Sequence, residues 1–205
     1  MFKRFVAILL SGTCAAVMLT SCGDSKAGGT GEFATVFAVA NNTTGPLDSD
    51  VATWVNATTQ VKATPCPPSV PTVKPDDVSF SVTVSPYATP NTGSASPIVT
   101  SDLLVTKITL SFTPADSLTP ALPALFQTQF PSAGQRLTSG PNSIPVRVVT
   151  NDLKVFLQNN LACSGLTYSY RVSVSFDALE ITTNRASTIN LPGYLTVNFS
   201  DFIDK

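Results

Sequence analysis

Residues 78–85 read VSFSVTVS, with Val78, Phe80, Val82 and Val84 alternating with Ser79, Ser81, Thr83 and Ser85. Successive side chains of a strand point to opposite faces, so a period of two predicts a strand with one buried and one wet face. Coiled into a helix, the same residues would scatter the apolar groups around the whole circumference. The pattern recurs in KITLSFT (107–113), with Ile108, Leu110 and Phe112 inward. It recurs in TYSYRVSVSFD (167–177), with Tyr168, Tyr170, Val172, Val174 and Phe176, and in YLTVNFSDF (194–202), with Leu195, Val197 and Phe199. Weaker strand signals lie at 33–40, 51–61, 144–150 and 178–183.

A half-buried sheet needs a second apolar layer opposite it. Seven or eight short strands with Pro, Gly and Ser between them predict an all-β chain, specifically an immunoglobulin-like antiparallel β-sandwich with one or two short helices. The 16 prolines suit loops and strand edges, not long helices.

Two segments break the alternation. In NDLKVFLQNNL (151–161), Leu153, Phe156, Leu157 and Leu161 fall at helical spacing, with Asn151 as the expected cap and Gly165 beyond the end. The connection 114–143 contains TPALPALFQTQFP (119–131), which predicts a short helix. Thr119 would cap it, Pro120 suits its first position, and Leu122, Leu125, Phe126 and Phe130 would share a face. That face either plugs an open end of the sandwich or stays exposed as a docking face for a partner. PCPPSVPTVKP (65–75) predicts a stiff extended crossing segment.

The amino-terminal residues follow a different logic. Lys3 and Arg4 precede an apolar run from Phe5 to Leu10, which Ser11, Gly12 and Thr13 interrupt before Ala15 to Leu19. A membrane-spanning helix wants about 20 apolar residues, so this layout predicts a secretory signal. Leu19-Thr20-Ser21-Cys22 resembles the lipobox of bacterial lipoproteins: an aliphatic residue, two small residues, then cysteine. The resemblance covers residues 1–22 and implies a diacylglyceryl group on the Cys22 thiol, cleavage just before it, and acylation of the new terminus. Two or more acyl chains anchor a protein stably, so the expected partner of Cys22 is membrane lipid. Gly23 after the cysteine, with Asp24 one place later, favours the outer membrane by the sorting pattern of Gram-negative lipoproteins. The expected organisation is a signal peptide at 1–21, a lipidated and flexible tether at 22–32, and one sandwich domain at 33–205.

Cleavage would remove 21 of the 205 residues and leave 184, enough for one domain with a real core. Ten basic and thirteen acidic residues would remain, with no basic patch for nucleic acid. The chain has no histidine, which excludes Ser–His–Asp and Cys–His nucleophiles and every imidazole metal ligand. No cofactor motif is present. An exported protein meets oxidising conditions, so Cys66 and Cys163 are expected to form a structural disulfide.

Asp48 and Asp50, and separately Asp76 and Asp77, are weak candidates for calcium, although no EF-hand spacing accompanies them. Asp177 and Glu180 are the nearest approach to a carboxylate pair for glycoside hydrolysis, but strand geometry is expected to splay them. Trp54, the one tryptophan, is either a core residue or a platform for a sugar. The expectation is a non-catalytic binding or assembly module of the cell envelope, meeting an envelope protein. A carbohydrate-binding or adhesive surface domain is the alternative, and a glycan-active enzyme the third.

Overall fold

The computed structural model describes residues 30–41, 45–55, 70–87, 101–129 and 134–201. Along these the chain forms β1 (Thr30–Glu32), β2 (Val36–Asn41), β3 (Leu47–Asp50), β4 (Thr53–Val55), β5 (Val70–Thr72), β6 (Asp76–Pro86) and β7 (Leu103–Pro114). There follow a single 3-10 turn (Ala124–Phe126), β8 (Thr128–Gln129), β9 (Gln135–Leu137), β10 (Gly140–Val149), α1 (Asn151–Leu161), β11 (Thr167–Glu180), β12 (Ala186–Asn190) and β13 (Leu195–Ser200).

Two sheets face one another. The first has the order β1-β2-β6-β10, and the second runs β3-β13-β11-β7-β8, with β12 also on β11 and β9 also on β7. The sandwich expected from the alternation is therefore present, with more strands than the strongest repeats reveal. Most pairings are antiparallel; β3 lies parallel to β13. A small third sheet joins β4 to β5.

The core is built from the predicted inward residues. Val78, Phe80, Val82 and Val84 of β6 face Tyr170, Val172, Val174 and Phe176 of β11, all buried. Phe80 and Phe176 meet edge to face across the layers with ring centroids 6.1 Å apart, the arrangement that ring quadrupoles favour. Tyr170 packs edge-on to both Phe112 and Phe199 and donates its hydroxyl to the Pro120 carbonyl at 2.8 Å. Burial pushes the pKa of that hydroxyl far up, so it stays a donor.

One irregularity rephases a long strand. Opposite β11 the register passes from Lys107 to Val105, so Thr106 is an extra residue on β7. The bulge shifts the inward set from Leu103 and Val105 to Ile108, Leu110 and Phe112. Thr106 marks it by donating its hydroxyl to the Asp177 carbonyl at 3.1 Å.

Several boundaries differ from expectation. The first sheet begins at Thr30, inside the stretch expected to be tether, so the domain starts before residue 33. Phe33 to Val36 is a turn closed by the Phe33 N–H on the Val36 carbonyl, and β2 begins only there. The 178–183 signal is the end of β11, which stops at Glu180. The expected 51–61 strand appears as β4, and residues 56–61 lie outside the described residues, as do 65–69 of the proline-rich segment.

Candidate functional site

The α1 end of the sandwich concentrates the unusual side chains. The helix follows β10 directly. Its cap is Thr150, not Asn151: the Thr150 side chain accepts the Leu153 N–H at 3.2 Å. Leu153, Leu157 and Leu161 are buried against the core. The fourth expected core residue is not, for Phe156 is 43% exposed. Lys154 takes its place and is 3% exposed, its ammonium 3.0 Å from the Asp76 carboxylate. Ser49 donates to the same Asp76 oxygen at 2.6 Å. The helix, β6 and β3 are thus pinned through one carboxylate, and the Lys154 stem covers apolar surface as a methylene chain.

The helix expected over 119–131 does not form; only the 3-10 turn Ala124–Phe126 does. Stronger local and long-range bonds claim the segment. Asp116 accepts the N–H groups of Leu118 and Thr119, each at 2.9 Å; the Thr119 side chain first, and then these N–H groups, hold its carboxyl below the usual range. The Thr119 hydroxyl accepts the Ser169 N–H at 3.1 Å. Pro120 and Pro123 supply no N–H for a helix ladder, and Leu110 draws the Gln127 carbonyl onto the edge of β7 at 2.7 Å. The supposed common face is consequently split. Leu122 is buried in the core, Phe126 is partly buried, Leu125 is 72% exposed, and Phe130 lies outside the described residues.

What the sequence did not indicate is that Phe126 meets Phe156 of α1, ring centroids 5.7 Å apart. Leu118, Val155 and Leu166 are also exposed on α1 or on segments beside it. Five of the eight large hydrophobic side chains exposed among the described residues, these three with Leu125 and Phe156, therefore lie at this one end. Scattered single apolar groups on a surface are ordinary, whereas a local concentration marks a contact surface.

Trp54 is not a sugar platform. It is 5% exposed, and its indole N–H donates to Asp201 at 3.0 Å. The other Asp201 oxygen accepts the Cys163 N–H at 2.6 Å, holding Cys163 at a positive φ of 59°. Cys163 is disulfide-bonded; Cys66, its expected partner, lies outside the described residues, as does Cys22.

The acidic candidates are dispersed and engaged. Asp48 accepts from the Asn198 side chain at 2.9 Å, Asp50 from the Ala52 N–H at 3.2 Å, and Asp77 pairs with Arg147 at 3.0 Å. Among the described residues no group of three or more His, Cys, Asp or Glu side chains stands together as a metal site. An open groove of about 390 Å³ lies beside Leu47, Asp77 and Leu195, its carboxylate being the one that Arg147 holds.

Asp177 and Glu180 do not form a catalytic pair either, because they project to opposite sides of β11. Asp177 faces solvent, and Lys107 at 2.8 Å together with the Thr188 hydroxyl holds its carboxyl below the usual range. Glu180 is fully buried at the far end of the sandwich, where its carboxylate accepts the N–H groups of Ala34 and Thr35, each at 2.9 Å, and the hydroxyls of Thr35 and Thr183. Burial pushes its pKa up, but those four donors outweigh burial and the net effect is downward. Glu180 is a structural latch between the sheets.

The outer face of the first sheet carries a further pair that the alternation does not reveal. Phe37 and Tyr87 lie with ring centroids 5.7 Å apart, tilted by 41°, Tyr87 being exposed.

No protein-family model, curated protein or solved structure matches this chain.

Proposed function

We propose that the chain is an exported lipoprotein, held in the membrane by acylated Cys22, whose sandwich acts as a non-catalytic binding or assembly module of the cell envelope. The observation that carries the module reading is the apolar surface at the α1 end, where Leu125 and Phe156 stand exposed beside Phe126. Anchoring rests on the basic and apolar leader followed by Leu19-Thr20-Ser21-Cys22, and Gly23 favours the outer membrane.

Mass spectrometry of the mature amino terminus tests the anchor. The expected terminus is Cys22 bearing two or three acyl chains, and Cys22→Ala should yield an uncleaved or released protein. An unmodified terminus at another residue would refute the reading. Gly23→Asp should move the protein toward the inner-membrane fraction.

The Phe37–Tyr87 pair favours a second reading, a carbohydrate-binding surface, because exposed aromatic faces stack on sugar rings. A glycan array that gives signals lost in Tyr87→Ala would support it, and a blank array would remove it.

A further inference from the structure

We infer that the contact made by the α1 end is with the membrane that holds the anchor: the exposed side chains of α1 and of the Ala124–Phe126 turn rest in the lipid headgroup layer. This rests on the reading of Cys22 as an acylated anchor.

Chain direction sets where the tether leaves the domain. Thr30 of β1 pairs with Val39 and Glu32 with Phe37. Val39 is level with Thr83 of β6, and β6 begins at Asp76 beside the start of α1. Reading β1 backwards from Glu32 to Thr30 therefore moves toward the α1 end. The chain that leads back to Cys22 leaves the domain in that direction.

Length then decides how far away the lipid can be. Eight residue steps separate Cys22 from Thr30, which span at most about 29 Å when fully extended. From the level of Thr83 to Asp76 is seven steps along β6, about 23 Å of strand. A helix laid across that end adds about 10 Å. With the domain upright on its tether, the outer surface of α1 reaches the lipid before the tether is fully extended.

The chemistry of the end agrees. Val155, Phe156 and Leu125 are exposed there, and the one lysine of α1 is buried and turned to Asp76. Apolar side chains flanked by neutral Asn159 and Asn160 suit the headgroup boundary. Asp116 and Asp152 are exposed at the same end, so the surface suits zwitterionic lipid better than anionic lipid.

The test uses full-length lipidated protein in phosphatidylcholine vesicles with brominated acyl chains, which quench nearby tryptophan. Phe156→Trp and Leu125→Trp each add a reporter at the α1 end, and Ile181→Trp adds one at the far end. Emission of Trp54, measured in the unsubstituted protein, is subtracted. A side chain seated ~5–10 Å into the interface lies close to the bromines, so emission at 156 and 125 should fall about twofold while that at 181 stays unchanged. Quenching at 181 alone, or equally at all three positions, would overturn the inference. So would unquenched reporters at 156 and 125 in a protein that sediments as a dimer, which would assign the face to a second copy of the chain. Mass spectrometry of the same samples separates the two levels: an unacylated Cys22 removes the anchor and this inference together. An acylated Cys22 with an unquenched α1 end removes this inference alone.

Discussion

At the far end of the sandwich one carboxylate, Glu180, gathers two backbone N–H groups and two hydroxyls, whereas at the α1 end three leucines fill the gap between the sheets. The first closure is directional. Each donor must point at the carboxylate, and a donor lost to water or a rotated side chain leaves buried charge under-satisfied. The second closure depends on area and shape, so it tolerates a helix that turns some apolar groups outward. The difference explains why the carboxylate end holds its turns in fixed geometry while the helical end has apolar surface to spare.

The largest effect should come from the helical closure. Leu157 is fully buried in the core, and Leu157→Ala removes both its transfer energy and its packing, a loss of about 3 kcal/mol. In a domain of this size that is a fall of roughly 6–12 °C in melting temperature, measurable by calorimetry. A fall of less than a couple of degrees would mean that α1 is not part of the cooperative core.

Glu180→Gln tests the directional closure. The amide turns a donor toward groups that are themselves donors, and the loss should be about 2–3 kcal/mol. The pH dependence gives the sharper signature. The Glu180 pKa is depressed in the folded protein below its ordinary 4.5. Its contribution is therefore complete above about pH 4.5 and is lost as pH falls further, through the folded-state value. Melting temperature measured from pH 6 to pH 3 should drop less steeply in Glu180→Gln than in the parent. Parallel curves would show that Glu180 does not govern the acid limb.

Gly31 marks a junction between the two closures, where β1 packs against β12. A Cβ there would lie 2.7 Å from Ile189 Cγ1 and 3.2 Å from the Thr188 carbonyl. Neither neighbour is the loose tip of a long side chain, so Gly31→Ala must push the strands apart, at a cost on the order of 1–2 kcal/mol. Unchanged denaturant stability would show that β1 can move freely from β12.

Local pattern made part of this legible. The alternation in 78–85, 107–113 and 167–177 names the inward residues because the strand period is a property of neighbours. The α1 segment was legible for the same reason, but not its rotation: Lys154 is inward only because Asp76, 78 positions earlier in the chain, waits there. The bulge at Thr106 and the latch at Glu180 also depend on partners remote in sequence, Asp177 and the Ala34–Thr35 turn. The helix expected over 119–131 has a suitable cap and an apolar face, but Pro123 already counts against it locally, and Ser169, Tyr170 and Leu110 offer its backbone and side chains other bonds. At the proposed contact surface the sequence exposes the apolar content of 119–131 and 151–161, while the meeting of Phe126 with Phe156 is a tertiary fact.

The smallest stability effect should come from the very side chain whose loss matters most to the proposed contact. Phe156 and Leu153 stand one helical turn apart and were expected to share a buried face, but Leu153 is 1% exposed and Phe156 43%. Leu153→Asp would place an unpaired carboxylate in the core and should cost several kcal/mol. Phe156→Asp leaves the new charge in water and gives up mainly the contact with the Phe126 ring, less than about 1 kcal/mol at so exposed a site. Paired melting curves of the two variants thus measure how sharply α1 divides core from surface. If Phe156→Asp unfolds the domain as Leu153→Asp does, Phe156 belongs to the core and the α1 end has no spare apolar surface. If Phe156→Asp keeps its melting temperature, the ring is available for contact, and its apolar area is retained for something other than holding the sandwich together.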